Sequence, residues 1–267
     1  MSAAEPVLQV RNLTKAYYGL TAVDDVSFDV ERGSITSIIG PNGSGKSTTI
    51  DCISGFQRAN RGQWSLDGKD LTGRTPHAHA LAGLCRTFQT VRAYDDLPLI
   101  DNLRVARQEH DGLNWWHALR GGARTRAAEA AATERALELL SIVKMAQYAE
   151  APAAILSYGQ RKLLAIAAVM MTRPKIVILD EPVAGVNPTM IRGIEEIVRE
   201  INGAGVTVLF VEHNVEFVMN LSHRVIVLDG GRVLAEGPPD LIHRDQRVLD
   251  AYLGAPVDAA TDGAGHG

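Results

Sequence analysis

Cysteine is scarce in this chain: Cys52 and Cys85 are the two among 267 residues. They have neither metal-ligand spacing nor the numbers for a disulfide framework, which suits a reducing compartment. Long apolar runs are missing as well. The longest, Leu163 to Met171, has nine residues, whereas a membrane-crossing helix needs about 20. Residues Met1 to Pro6 hold neither a basic start nor an apolar stretch, so no secretion signal is expected there. An excess of basic charge is also absent. Lys and Arg number 27 against 31 Asp and Glu, a formal charge of -4, which supplies no general drive onto nucleic acid or an anionic membrane. What remains is a globular composition, 46% hydrophobic and 22% charged. The length suffices for one large α/β domain or two small ones.

The order of patterns along the chain points to an α/β fold. Val7 to Arg11 and Val26 to Val30 alternate like half-exposed strands, with a turn at Arg32 and Gly33. Ile35 to Ile39 is a more apolar strand followed by a glycine-rich loop, and a helix is predicted from that loop to about Ser54. Gly62 to Gly68 reads as a short strand ended by Asp-Gly. From about 90 to 172 the character changes. Arg124 to Val143 is rich in Ala, Glu, Leu and Arg at helical spacing, with no convincing strand nearby, which predicts a helical subdomain set into the α/β core. Strands at Ile176 to Asp180, Val206 to Val211 and Val225 to Leu228 then alternate with helices at Thr189 to Asn202 and Asn214 to Asn220, the signature of a parallel sheet covered on both faces. The segment 255–267 has no periodicity and is expected to lack order.

The glycine-rich loop carries the first chemistry. Gly40, Pro41, Asn42, Gly43, Ser44, Gly45, Lys46 and Ser47 match G-x-x-x-x-G-K-[ST], with Thr48 next in the helix. Glycines let the backbone wrap until its N–H groups point at phosphate oxygens, and the helix presents its positive end to the same anion. Lys46 would reach the outer phosphates and the Ser47 hydroxyl would ligate Mg²⁺. Four apolar residues, Ile176 to Leu179, then deliver Asp180 and Glu181 at the C-terminal end of a strand, where open α/β sheets bind ligands. Asp180 is expected to hold Mg²⁺, directly or through water, and Glu181 to act as base or orienting group for an attacking water.

Leu156, Ser157, Tyr158, Gly159 and Gln160 precede an apolar helix. Ser157 and Gln160 have capping-box spacing, so the local reading is a helix start with satisfied amides; such a start is also an anion site. The order of motifs is the phosphate loop, Arg86-Thr-Phe-Gln89, Leu-Ser-Tyr-Gly-Gln, Ile-Leu-Asp-Glu-Pro and Val211-Glu-His-Asn. From about 6 to 254 it resembles the nucleotide-binding subunit of ABC transporters. The resemblance implies a P-loop NTPase core with an N-terminal antiparallel β subdomain and an inserted α-helical subdomain. It implies two such subunits paired head to tail, identical or paralogous, each ATP lying between one chain's phosphate loop and the other's Ser157 motif. Carried over, Ser157, Gly159 and Gln160 would touch the γ-phosphate of the partner's ATP. Gln89 would reach the metal and the attacking water and link the site to the permease, and His213 would hold the γ-phosphate for in-line attack. Tyr17, placed ahead of the first strand pair, looks like the residue that stacks on adenine, with Tyr18 as its rival.

Two departures from the family pattern stand out. Tyr158 replaces the usual Gly, and Ala184-Gly-Val-Asn187 replaces the common Ser-Ala-Leu-Asp, which puts the usual contact across the dimer in doubt. Residues 182–188, 211–214, 235–239 and the ending Val-Leu-Asp-Ala-Tyr-Leu-Gly254 look like the branched-chain amino-acid uptake ATPases and the related urea and short-amide systems, with lipopolysaccharide-export ATPases a further relative. That resemblance implies transmembrane permeases, an extracytoplasmic substrate-binding protein and a peripheral place on the cytoplasmic face of the inner membrane. It implies no nucleic acid partner. Thr90 to Ile100 would form the permease groove, with Val91, Tyr94 and Leu97 in its lining or else in ordinary core packing. Trp115 and Trp116 would touch the permease or lipid interface, or simply cover the helical subdomain. A soluble ABC protein of translation or DNA repair, or a module without turnover, fits less well: there is no second cassette, and Lys46, Gln89, Asp180, Glu181 and His213 are all present.

Overall fold

The computed structural model describes residues 5–88, 93–107 and 123–253. Two sheets form its frame. The first is antiparallel, in the order β2-β1-β4-β5, built from β1 (Pro6–Tyr17), β2 (Leu20–Glu31), β4 (Arg61–Leu66) and β5 (Lys69–Asp70). A two-residue turn joins β1 to β2. Tyr18 and Gly19 both have positive φ, 46° and 92°, so the turn's twist matches that of the strands it connects.

The second sheet has the order β10-β9-β3-β8-β7-β6. It is made of β3 (Ile35–Ile39), β6 (Leu84–Arg86), β7 (Ile176–Asp180), β8 (Thr207–Val211), β9 (Arg224–Asp229) and β10 (Arg232–Gly237). All neighbours are parallel except β10, which closes the edge antiparallel to β9. Side chains divide between the faces with the strand period of two. Ile176, Ile178, Leu209, Val211, Ile226 and Leu228 pack toward the antiparallel sheet, together with Ile50 and Ile53. Val177, Leu179, Val208, Phe210, Val225 and Val227 pack on the opposite face, under the helices.

Helices cover that second face. Leu99–Ala106, Ala123–Ile142 and Tyr158–Met170 form the helical subdomain, and no strand occurs among the described residues from 93 to 172. The helix predicted at 124–143 is thus present. Pro188–Gly203 and Val215–Leu221 follow β7 and β8, as the alternation required. The sequence patterns under-read several elements. The first two strands extend well beyond their alternating stretches, and the short β6, β10 and the helices Pro76–Ala82 and Gln246–Leu253 have no counterpart in those patterns. Tyr17 also needs correcting: it is the last residue of β1, not ahead of the strand pair.

Candidate nucleotide site

The phosphate loop runs from the end of β3 into the helix Lys46–Ile53. Gly45, at φ 97°, is that helix's N-cap and offers no side-chain bond, so its first amides are not closed by a capping side chain, as an anion site requires. Two glycines here answer to close approach. A Cβ on Gly40 would lie 2.0 Å from the Leu228 carbonyl oxygen, and one on Gly45 would lie 2.5 Å from that of Ala22. Pro41, Asn42 and Gly43 form the loop's outer turn and Ser44 is buried. The Lys46 ammonium folds back on the loop, donating to the carbonyls of Gly40 at 2.8 Å and Pro41 at 2.9 Å. Burial lowers its pKa, and the nearby charge of Glu181 opposes that shift. Phosphate loop and acid pair, far apart in the chain, thus both lie at the C-terminal edge of the parallel sheet, after β3 and β7.

Asp180 ends β7 with its side chain 10% exposed, and Arg86 of β6 holds its Oδ2 at 2.6 Å. Glu181 follows in the left-handed region, φ 47°. Its N–H donates to the Val211 carbonyl at 3.0 Å, and its own carbonyl accepts from the buried ammonium of Lys162. Burial lowers the pKa of Lys162, while Glu212, Glu181 and Asp180 act against the shift. Fully buried Glu212 accepts from the N–H groups of Val183 (2.8 Å), His213 (3.0 Å) and Asn214 (3.3 Å). One carboxylate therefore fixes both the loop after Glu181 and the segment presenting the exposed imidazole of His213. Lys162, Glu212 and Arg86 were not singled out from the sequence. The signal the sequence holds for them is a charge placed on an apolar helix or at a strand end.

Tyr17 is half-buried at the end of β1, and burial raises its pKa. Tyr18 points into solvent. Ser157 opens the helix Tyr158–Met170 with the predicted capping box: its N–H donates to Gln160 Oε1 at 2.9 Å, and its Oγ accepts from the Gln160 N–H at 3.4 Å. The two departures from the family pattern lie near one another, at Tyr158 and Gly185. A Cβ on Gly185 (φ 71°) would stand 3.4 Å from the Tyr158 ring. Asn187 caps the helix Pro188–Gly203, accepting from the Met190 N–H at 2.9 Å. Gln89, Thr90, Val91, Trp115 and Trp116 lie outside the described residues, as does 255–267.

Asp180 also lines a groove of about 940 Å³, with Phe56, Arg86, Phe88, Ala165 and Val169 in its wall. Tyr94 and Leu97 are not in that lining; they are exposed, in a loop pinned by the buried side-chain amide of Asn102.

Fold and loop define the class first: an α/β P-loop nucleotide-binding protein. The comparisons give the family. A model of the ABC transporter family matches residues 23–184, and one described as branched-chain amino acid ATP-binding cassette transporter matches 232–258. The chain is 38% identical over 252 residues to the high-affinity branched-chain amino acid transport ATP-binding protein BraF of Pseudomonas aeruginosa, covering 94% of this chain and 99% of that one. It is 39% identical over 249 residues to the probable branched-chain amino acid transport ATP-binding protein LivG of Archaeoglobus fulgidus, covering 93% and 96%. Among solved structures, a nucleotide-free ATP-binding cassette from an ABC transporter matches with a TM-score of 0.82 at 32% identity, covering 94% of this chain and 100% of that one. The chain belongs to the ABC transporter family, as an ATP-binding cassette of the ATPases that drive transport.

Proposed function

We propose that this cassette is the ATP-hydrolysing motor of an importer for branched-chain amino acids. The observation that carries the reading is that the phosphate loop after β3 and the acid pair after β7 lie at the C-terminal ends of parallel strands of one sheet, in a chain whose relatives are named for that transport. Those names lend no support to the urea, short-amide or lipopolysaccharide readings. In this proposal residues 6–254 form one cassette, which pairs head to tail with a second, identical or paralogous cassette.

Each residue's part follows from its chemistry. Tyr17 stacks on adenine beside the phosphate-loop helix. The N–H groups of Gly43 to Thr48, with Lys46, hold the phosphates. Glu181 orients a water for in-line attack, and His213 holds the γ-phosphate in register. Ser157, Gly159 and Gln160 of the second cassette close the site, using the anion-binding start of their helix. The donor set suits Mg²⁺. Among the described residues no group of three or more His, Cys, Asp or Glu side chains could form a metal cage, and Mg²⁺ is commonly held by one or two carboxylates plus substrate phosphates. Ser47, Asp180 and Gln89 would hold the ion, whose charge would neutralise the transferring phosphoryl group.

Closing and opening of the pair would move two transmembrane permeases fed by an extracytoplasmic binding protein, with the cassettes peripheral on the cytoplasmic face. No helix among the described residues is long and apolar enough to cross a membrane. The test is Glu181→Gln. That variant should bind ATP, accumulate as a dimer in light scattering and lose nearly all turnover. Turnover like the wild type, or a wild-type rate per chain that does not change on dilution, would overturn the assignment.

A further inference from the structure

Arg86 sits where the nucleotide site and the groove share a wall. Its side chain is 7% exposed. Nη2 donates to Asp180 Oδ2 at 2.6 Å, and Nη1 donates to Asp51 Oδ1 at 2.6 Å and Ser54 Oγ at 3.2 Å. Asp51 belongs to the phosphate-loop helix and Asp180 to β7, so one guanidinium ties together the elements that carry the loop and the acid pair. The rings of Phe56 and Phe88 each lie 5.7 Å from its Cζ and meet each other edge to face at 5.0 Å. Nη1 and Nη2 are thus committed to carboxylates, while the buried Nε has no hydrogen-bond partner.

A planar, permanently charged fork is the side chain that can serve two carboxylates at once. Its charge offsets one of the two it contacts, leaving that cluster with a net single negative charge. Arg86 also has a second seat. Asp51, whose side chain is 32% exposed, and the two phenyl rings can retain it when Asp180 turns to another cation. We propose that Arg86 is a positioning residue that stands in for the divalent cation on Asp180 and competes with it. Asp180 changes partner when metal and nucleotide are held together, and Arg86 withdraws toward Asp51. Because Arg86, Phe56, Phe88 and Asp180 all line the groove, the exchange alters the groove wall directly. Metal occupancy is thereby reported to the groove. This rests on the reading of Asp180 as a metal-holding residue.

The experiment reads binding rather than turnover. ADP is titrated calorimetrically into the full chain with MgCl₂ and again with EDTA, and the ratio of the two affinities is the metal's contribution. Arg86→Met keeps an unbranched apolar side chain beside the rings and removes the competing charge, so the ratio should rise about tenfold, in line with the loss of a charge-assisted hydrogen bond. Asp51→Asn removes the second seat and should lower it. A side chain that merely props the fold would lower the ratio in both variants or leave it unchanged, and either result for Arg86→Met overturns the proposal. If Arg86→Met fails a thermal-melt check, Arg86→Lys replaces it: a single ammonium cannot bridge both carboxylates, so a smaller rise is expected and a fall overturns the idea. Asp180→Asn is the control. Loss of the metal's contribution there, with no rise in the Arg86 variants, refutes the competition alone; an intact contribution refutes the underlying reading of Asp180 as well.

Discussion

Glu212 Oε1 accepts the N–H of Val183 at 2.8 Å, across 29 positions of sequence, while Oε2 of the same carboxylate takes the N–H of His213 at 3.0 Å. A buried carboxylate that satisfies backbone donors on two loops sets their relative position. Glu212→Gln keeps the shape but turns an amide NH₂ toward N–H donors. It should lower stability by about 1–3 kcal/mol, the usual penalty for a buried donor left unpaired. Urea unfolding measures the loss. ATP turnover should fall further than nucleotide affinity, since Glu181 and His213 flank the bonds that are lost.

Tyr17 and Tyr18 are neighbours in sequence with opposite fates. Tyr17 is half-buried against the phosphate-loop helix and Tyr18 is in solvent. Tyr17→Ala should weaken ADP binding by about 1–3 kcal/mol, the range for a base stacked on an aromatic ring. Tyr18→Ala should leave it nearly unchanged. Titration of both variants with ADP decides, and the reverse order would move the stacking role to Tyr18.

Asn187 stands where an Asp is common in the family, and its side chain caps a helix. Asn187→Ala should cost about 1 kcal/mol of stability, as N-cap deletions do, whereas Asn187→Asp should retain the cap. Thermal unfolding of the two variants separates the outcomes. An Asn187→Ala melt like that of the wild type would show that the cap contributes nothing.

His79 provides a pH signature away from the nucleotide. It is buried, its Nδ1 facing the Thr75 carbonyl at 2.9 Å, and Trp64 Nε1 donates to its Nε2 at 3.1 Å. Burial lowers its pKa. Above about pH 6.5 the ring is neutral in both folded and unfolded chains, and the stability is fully present. As pH falls below that value the unfolded chain binds a proton that the folded chain resists. Stability should therefore drop by up to about 1.4 kcal/mol per pH unit until the folded pKa is reached. His79→Gln should flatten this part of the curve in urea unfolding between pH 7.5 and 5.

The phosphate loop's glycine at position 40 has no room for a side chain. Gly40→Ala would drive a Cβ into the Leu228 carbonyl, so ADP binding should be lost and stability reduced by about 1–3 kcal/mol. A variant that binds ADP normally would show that the loop can shift freely.

Local rules made much of this protein readable from the chain alone. The parallel strands follow from runs such as Ile176 to Leu179, the helix start at Ser157 from its capping-box spacing, and the phosphate loop from glycines placed where the backbone must approach a phosphate. These features depend on residues within a few positions of one another. Tertiary structure decided which distant charges meet. Arg86 and Asp180 are 94 positions apart and join only because β6 lies beside β7. Lys162 reaches the Glu181 carbonyl only because its helix packs over the parallel sheet. The hairpin, whose turn begins between Tyr17 and Tyr18, likewise leaves Tyr17 half-buried and Tyr18 in solvent. Hydrophobic periodicity specifies which face of each element is buried, but strand order determines which side chains the burial brings together.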